Sequence, residues 1–199
     1  MKFKLLTCLL LATTSFAAEM KILAFSGSTR AESYNQQLIQ EAASLARQMG
    51  AKVTVIQLKD YPMPFYDGDL ESSEGMPKNA RLLRKLMIEN DAILIASPEY
   101  NHSISGVLKN ALDWISRGEG GDVSYDACKD KPMVIMSASP GKKGGINGLK
   151  HLRAVLEDIG GKVMEQQVTI PRAHQYFSEK DRLENPTLRK ALQDLLNGR

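Results

Sequence analysis

From Lys21 onward, short apolar runs without polar alternation trade places with longer stretches in which apolar residues return every three or four positions. The first run, Lys21 to Phe25, stops at Ser26-Gly27-Ser28, as a strand covered on both faces does. Between Asn35 and Met49, residues Leu38, Ile39, Ala42, Leu45, Ala46 and Met49 form one helical face, and Gly50 stands where a helix ends. The alternation continues with a strand over Val53 to Leu58, a helix over Ala80 to Glu89 and a strand over Ala92 to Ala96. A helix over Gly106 to Ile115, a strand over Met133 to Ser137, a helix over Leu149 to Ile159 and a last strand over Val163 to Val168 follow. Asn185-Pro186 supplies a cap and a first-turn proline for a closing helix that runs to about Leu196. Strands separated by helices imply crossover connections, so the expected fold is α/β: a doubly wound, five-stranded parallel sheet with helices on both faces.

Such a sheet binds its ligands beyond the carboxyl ends of its strands, which selects the loops after Phe25, Ala96 and Ser137. The first reads Gly27-Ser28-Thr29-Arg30-Ala31-Glu32-Ser33-Tyr34-Asn35 and runs into a helix. Free backbone amides and the positive end of a helix dipole favour a phosphate there, with hydroxyls from Ser28, Thr29 and Ser33 and a charge-assisted bond from Arg30. The bland alternative is a solvated loop in which Ser33 or Asn35 only caps the helix. Neither GxxxxGK[ST] nor GxGxxG occurs, which disfavours nucleotide hydrolysis and a dinucleotide fold.

The second loop reads Ser97-Pro98-Glu99-Tyr100-Asn101-His102-Ser103. An aromatic residue beside an amide and turn N–H groups suits a flat heteroaromatic ring, apolar on its face and polar at its rim. His102 invites a catalytic role, but no carboxylate is identifiably placed to orient it, and a solvated loop histidine explains it equally well. The third loop, Ala138-Ser139-Pro140-Gly141-Lys142-Lys143-Gly144-Gly145, has glycines that let a ligand approach the backbone, and its two lysines read as solvated.

At these residues the chain resembles the NADPH-dependent FMN reductase family, which includes quinone, chromate and azo-dye reductases. The resemblance runs from about Met20 to Val168. The family pattern Gly-Ser-x-Arg-x-x-Ser-x-Asn falls on Gly27, Ser28, Arg30, Ser33 and Asn35, where relatives hold the FMN phosphate. Pro98, Glu99, Tyr100 and Asn101 match the turn that lies against the flavin ring, and Leu108 to Trp114 also follows the family. Ser137, Ala138 and Ser139 carry over as small residues near the flavin. The resemblance implies a flavodoxin-like sheet of order 2-1-3-4-5, FMN as cofactor, and NADPH or NADH as co-substrate. It further implies electron transfer to a quinone, free flavin, chromate or azo-type acceptor, in a homodimer or homotetramer with the flavin near a subunit boundary. The cofactor carries the reactivity, so no catalytic side-chain constellation is required. A flavin electron carrier or ligand-binding module without nicotinamide turnover is the alternative; flavodoxins are usually strongly acidic, whereas this chain carries a net charge of +3.

With 199 residues, 43% of them hydrophobic and 25% charged, the chain suits one well-buried domain over residues 20 to 199. Its positive charge is dispersed, so composition gives no support for a nucleic-acid partner. Residues 59 to 77 and 116 to 130 read as irregular stretches and as candidate subunit contacts. Lys2, Lys4, the apolar run Leu5 to Phe16 and Ala17-Ala18 have the layout of a signal peptide. That run is far below the roughly 20 residues that cross a bilayer, which disfavours a permanent membrane anchor. The competing reading starts the protein at Met20 in the cytoplasm, where FMN and reduced nicotinamides are supplied; periplasmic or secreted protein follows if residues 1 to 17 direct export. Cys128 is the only cysteine after that segment and shows no paired histidine motif.

Overall fold

Successive residues of β1 (Lys21–Ser26) enter opposite cores: Ile22 and Ala24 pack on one face of the central sheet, Leu23 and Phe25 on the other. Strict alternation with burial on both faces is what a central parallel strand requires. The structure is a computed structural model that describes residues 19–177 and 182–198, so the reading of residues 1 to 17 lies outside it.

Chain order continues with α1 (Tyr34–Gln48), β2 (Lys52–Gln57), α2 (Gly68–Glu74), α3 (Lys78–Glu89), β3 (Ala92–Ala96) and α4 (Gly106–Ile115). It ends with β4 (Pro132–Ala138), α5 (Ile146–Asp158), β5 (Lys162–Val163), β6 (Val168–Ile170) and α6 (Pro186–Leu196). The sheet order is β2-β1-β3-β4-β5, and every paired strand is parallel. Register pairs Phe25 with Ile56 on one side and with Ile95 on the other, which brings the ends of β1 and β3 level.

Apolar side chains of α1 and α6 cover one face, and those of α3, α4 and α5 cover the other. The closing helix forms as its sequence predicts: Asn185 Oδ1 accepts from the Leu188 amide at 3.0 Å, and Pro186 opens the first turn. Arg189 then reaches the buried Glu41 carboxylate of α1 at 2.7 Å. A buried carboxylate without that cation would be strongly destabilising, so the pair fixes how α6 docks.

Two expectations are corrected. Val163 to Val168 is not one strand: the chain leaves the sheet after Val163 and returns at Val168, so that β5 pairs with the start of β4 and β6 with its end. Residues 59 to 77 are not wholly irregular, because they contain α2, whose first-turn amides at Asp69 and Leu70 are capped by Asp67. In the stretch 116 to 130, an isolated bridge pairs Arg117 with Val123, and Arg84 of α3 donates to Ser124 and Asp126. Among the described residues no helix is long and apolar enough to cross a membrane.

Candidate functional site

The loops after β1, β3 and β4 meet in one cleft lined by Ser28, Arg30, Ser33, Tyr34, Asn35, Pro98, Glu99, Tyr100, Ala138, Ser139 and Pro140. Their meeting follows from three adjacent parallel strands ending together.

The first loop is built from small hydroxyls. Ser26 Oγ accepts from the Ser28 amide at 3.1 Å, and Ser28 Oγ accepts from the Arg30 amide at 3.3 Å, a chain of short turns that curls the backbone. A Cβ at Gly27 would lie 2.8 Å from Leu108 Cδ2 and 3.1 Å from Leu108 Cβ of α4, so a side chain there would press on that helix. Ser105, the α4 cap, donates to the Gly27 carbonyl at 2.6 Å and ties the second loop's exit to the first. Ser33 caps α1 by accepting from the Gln36 amide, and its carbonyl accepts from Gln37. The second is the first regular bond of the helix and the first satisfies its third amide, while the amides of Tyr34 and Asn35, ahead of them, make no hydrogen bond among the described residues. The Arg30 guanidinium forms no ion pair among the described residues. Open amides, hydroxyls and an uncommitted cation at a helix N-terminus are the donor set an anionic oxygen requires.

The second loop is a tight hairpin. Tyr100 and Ser103 exchange both backbone hydrogen bonds at 2.9 Å, and Asn101 and His102 between them have φ of 50° and 62°. Two left-handed residues in a two-residue turn match the twist of a hairpin, and asparagine tolerates that region better than most side chains. The turn pushes the Tyr100 ring, partly exposed, to the rim of the cleft. Glu99 turns inward, and its Oε2 accepts from the Gly148 amide at 2.8 Å. The α5 cap is Gly145, which has no side chain, so Glu99 supplies from another loop the negative charge that α5's N-terminus favours. His102 is three-quarters exposed, with its Nδ1 3.0 Å from Asn147 Nδ2 and 3.6 Å from Glu99 Oε1. A carboxylate therefore does stand near His102, a neighbour that the sequence did not identify.

The third loop fixes the floor. Asn35 Nδ2 donates to the Ala138 carbonyl at 2.8 Å, and Asn35 Oδ1 accepts from the Ala138 amide at 2.9 Å. Ser137 is fully buried and donates to the Ser97 carbonyl at 2.7 Å. Ser139 stays at the cleft, its Oγ accepting from the Gly141 amide at 3.1 Å.

The structure thus brings Ser28, Arg30, Ser33, Asn35, Pro98, Glu99, Tyr100, Ala138 and Ser139 to one cleft, while Thr29, Asn101 and Ser137 do not line it. Thr29 and Asn101 are exposed on the flanking loops, and Ser137 lies beneath the surface. Tyr34 and Pro140 line the cleft without having been singled out from sequence. Tyr34 was detectable as the first residue of a helix whose N-terminus faces a ligand, whereas nothing beside Pro140 marked it.

A doubly wound sheet with an anion-ready β1–α1 loop beside an aromatic hairpin defines a mononucleotide-binding protein of flavodoxin-like fold. The family model for NADPH-dependent FMN reductase matches residues 20–175, and the chain belongs to that family. An NAD(P)H-dependent FMN reductase of Pseudomonas aeruginosa is 34% identical over 179 residues, covering 89% of this chain and 92% of the relative. A quinone reductase of Escherichia coli K12 is 32% identical over 149 residues, covering 74% and 75% of the two chains. Among solved structures, the flavoenzyme NAD(P)H:(acceptor) oxidoreductase of Paracoccus denitrificans matches with a TM-score of 0.75 and 26% identity, covering 89% of this chain and 93% of that one.

Proposed function

We propose that this protein holds FMN in the three-loop cleft and passes electrons from NAD(P)H to a quinone, free flavin, chromate or azo-type acceptor. FMN held there would supply the redox chemistry between the nicotinamide and the acceptor. The observation that carries the reading is the Arg30 guanidinium, without an ion pair among the described residues, on the loop that leads into the open amides of α1.

In this reading Ser28, Arg30, Ser33 and the amides of Tyr34 and Asn35 bind the phosphate, with Thr29 the outermost hydroxyl of the loop. Pro98, Glu99, Tyr100 and Asn101 form the edge against which the ring rests. Ser139 adds a polar group, while Asn35, Ser137 and Ala138 hold the loops in register beneath it. The half-exposed Tyr100 leaves the ring side open, which suits a pocket used in turn by a nicotinamide and by a flat acceptor.

We read the working form as a homodimer or homotetramer. The supply of FMN and reduced nicotinamide supports a cytoplasmic protein starting near Met20.

The test is to purify the protein, record its visible spectrum with added FMN, and follow NADPH absorbance with and without a quinone. A bound-flavin spectrum and quinone-stimulated NADPH oxidation are expected. Failure to bind FMN would overturn the cofactor assignment, and bound FMN without NADPH or NADH turnover would reduce the protein to an electron carrier.

A further inference from the structure

Beyond Pro140, which lines the cleft, the third loop continues to Lys142 and Lys143, both exposed. On one loop such a pair is merely solvated, but a second segment is stitched to it. The Ser139 amide donates to the Ile170 carbonyl at 3.1 Å, the Ala173 amide to the Ser139 carbonyl at 3.0 Å, and the Arg172 amide to the Gly141 carbonyl at 3.1 Å. The two segments touch so closely that a Cβ on Gly144 would fall 2.9 Å from both Thr169 Cβ and the Pro171 nitrogen. Exposed Arg172 is thereby fixed beside the loop that carries the lysines.

Arg172 has φ of 49° and ψ of 44°, a left-handed conformation that long side chains seldom adopt. It persists where the surroundings over-determine it, here through the bonds of Arg172 and Ala173 to the third loop. Lys142, Lys143 and Arg172 form no ion pair among the described residues. Neither Asp nor Glu occurs from Ser137 to Asn147 or from Val168 to Phe177. The other two borders of the cleft do carry acids: Glu32 follows Arg30 on the first loop, and Glu99 stands near His102 on the hairpin. An anion reaching the cleft over the third loop therefore meets three cations and no carboxylate. A phosphate monoester, with close to two negative charges and three acceptor oxygens, makes the most of such a cluster.

The FMN phosphate is already accounted for by the first loop, so the third loop suits a phosphate on the molecule that visits the ring. NADPH differs from NADH by one such group, on the adenosine ribose. We propose that Lys142, Lys143 and Arg172 bind the 2′-phosphate of NADPH and select it over NADH. The proposal rests on the function proposed above and names the residues that choose between its two electron donors.

Two measurements on the FMN-loaded protein test it: steady-state kinetics with NADPH and with NADH, and titration calorimetry with adenosine 2′,5′-bisphosphate and with adenosine 5′-monophosphate. The variants are Lys142→Gln combined with Lys143→Gln, and Arg172→Asn, since asparagine tolerates the left-handed region. Wild type is expected to prefer NADPH and to bind the bisphosphate more tightly than the monophosphate. Each variant should lower kcat/KM for NADPH about tenfold, through KM, and weaken the bisphosphate by a similar factor. Turnover with NADH and FMN binding should stay within about twofold, and added salt should weaken NADPH more than NADH. Equal use of both nicotinamides by wild type, or an equal loss with both in the variants, would overturn the proposal. A protein that holds FMN but oxidises neither nicotinamide would overturn the function beneath it. The calorimetry needs no turnover, and equal binding of the two adenosine nucleotides would remove the phosphate site by itself.

Discussion

The carboxamide of Asn35, at the start of α1, clasps both backbone groups of Ala138, at the end of β4, with one bond donated and one accepted. Two of the cleft's loops, 103 residues apart in sequence, are thereby joined by a single side chain. Asn35→Ala leaves a buried amide and a buried carbonyl unsatisfied, at a cost of about 2–4 kcal/mol. Thermal unfolding should show a midpoint lower by roughly 5–15 °C. Asn35→Asp, which keeps the acceptor and sets a carboxylate against the Ala138 carbonyl, should be no better than alanine.

Arg30→Ala, by contrast, should leave the melting temperature of the flavin-free protein unchanged, since the side chain contributes to the cleft and not to a core. Losing a charge-assisted bond costs roughly 1.5–3 kcal/mol, so FMN affinity should fall about ten- to hundredfold. Titration calorimetry with FMN measures this directly, and unaltered affinity would remove the phosphate from the first loop.

Gly145 has φ of 90°, and a Cβ there would fall 2.0 Å from Ser137 Oγ. Backbone strain and overpacking together put Gly145→Ala at about 2–5 kcal/mol of lost stability. Adding Ser137→Ala removes the clashing oxygen but neither the strained φ nor the 2.9 Å approach to the Ser137 Cβ. The double variant should therefore be more stable than the sum of the two single losses predicts, by about 1 kcal/mol in denaturant titrations.

His102 is exposed on a turn, and electron transfer through a flavin requires no side-chain acid. Turnover of His102→Ala should stay within about threefold of wild type, and double-reciprocal plots of the two substrates should be parallel, as one pocket used in turn requires. Intersecting lines would rule out the shared pocket, and a thousandfold loss of turnover with FMN still bound would make His102 a participant.

Cys128 is buried, and burial pushes its thiol up to about 12, with nearby Lys131 opposing the rise. The folded-state thiol therefore stays protonated through pH 8, and native protein should resist alkylation there. In denaturant the thiol returns to its ordinary range and labels rapidly. Mass spectrometry then counts one label if the working protein starts near Met20 and two if Cys8 is retained.

How much the sequence disclosed depends on what each segment packs against. β1, β3 and β4 were legible to within a residue because burial on both faces writes an uninterrupted apolar run. Gly68–Glu74 was not, because the only residue this short helix buries is Glu71, which pairs with Arg117 and leaves no apolar stripe to read. The break between Val163 and Val168 was equally hidden, since apolar content says nothing about which backbone groups find partners. At the site the loops and most lining residues were legible from strand ends. The division of labour was not: Asn35, Glu99 and Ser137 carry polar groups that bond the protein's own backbone, and that choice depends on register across the sheet.

That same break in the last strand shapes how the molecule behaves in company. On the β4 side, the outermost backbone of the sheet is offered only as Lys162–Val163 and Val168–Ile170, too short and too interrupted for a foreign strand to zip along. Propagation of sheet from molecule to molecule would have to begin at β2, whose leading residue is the exposed Lys52. A charged side chain guards one border and a discontinuity the other, so a protein with this apolar an interior can be crowded without its sheets growing into one another.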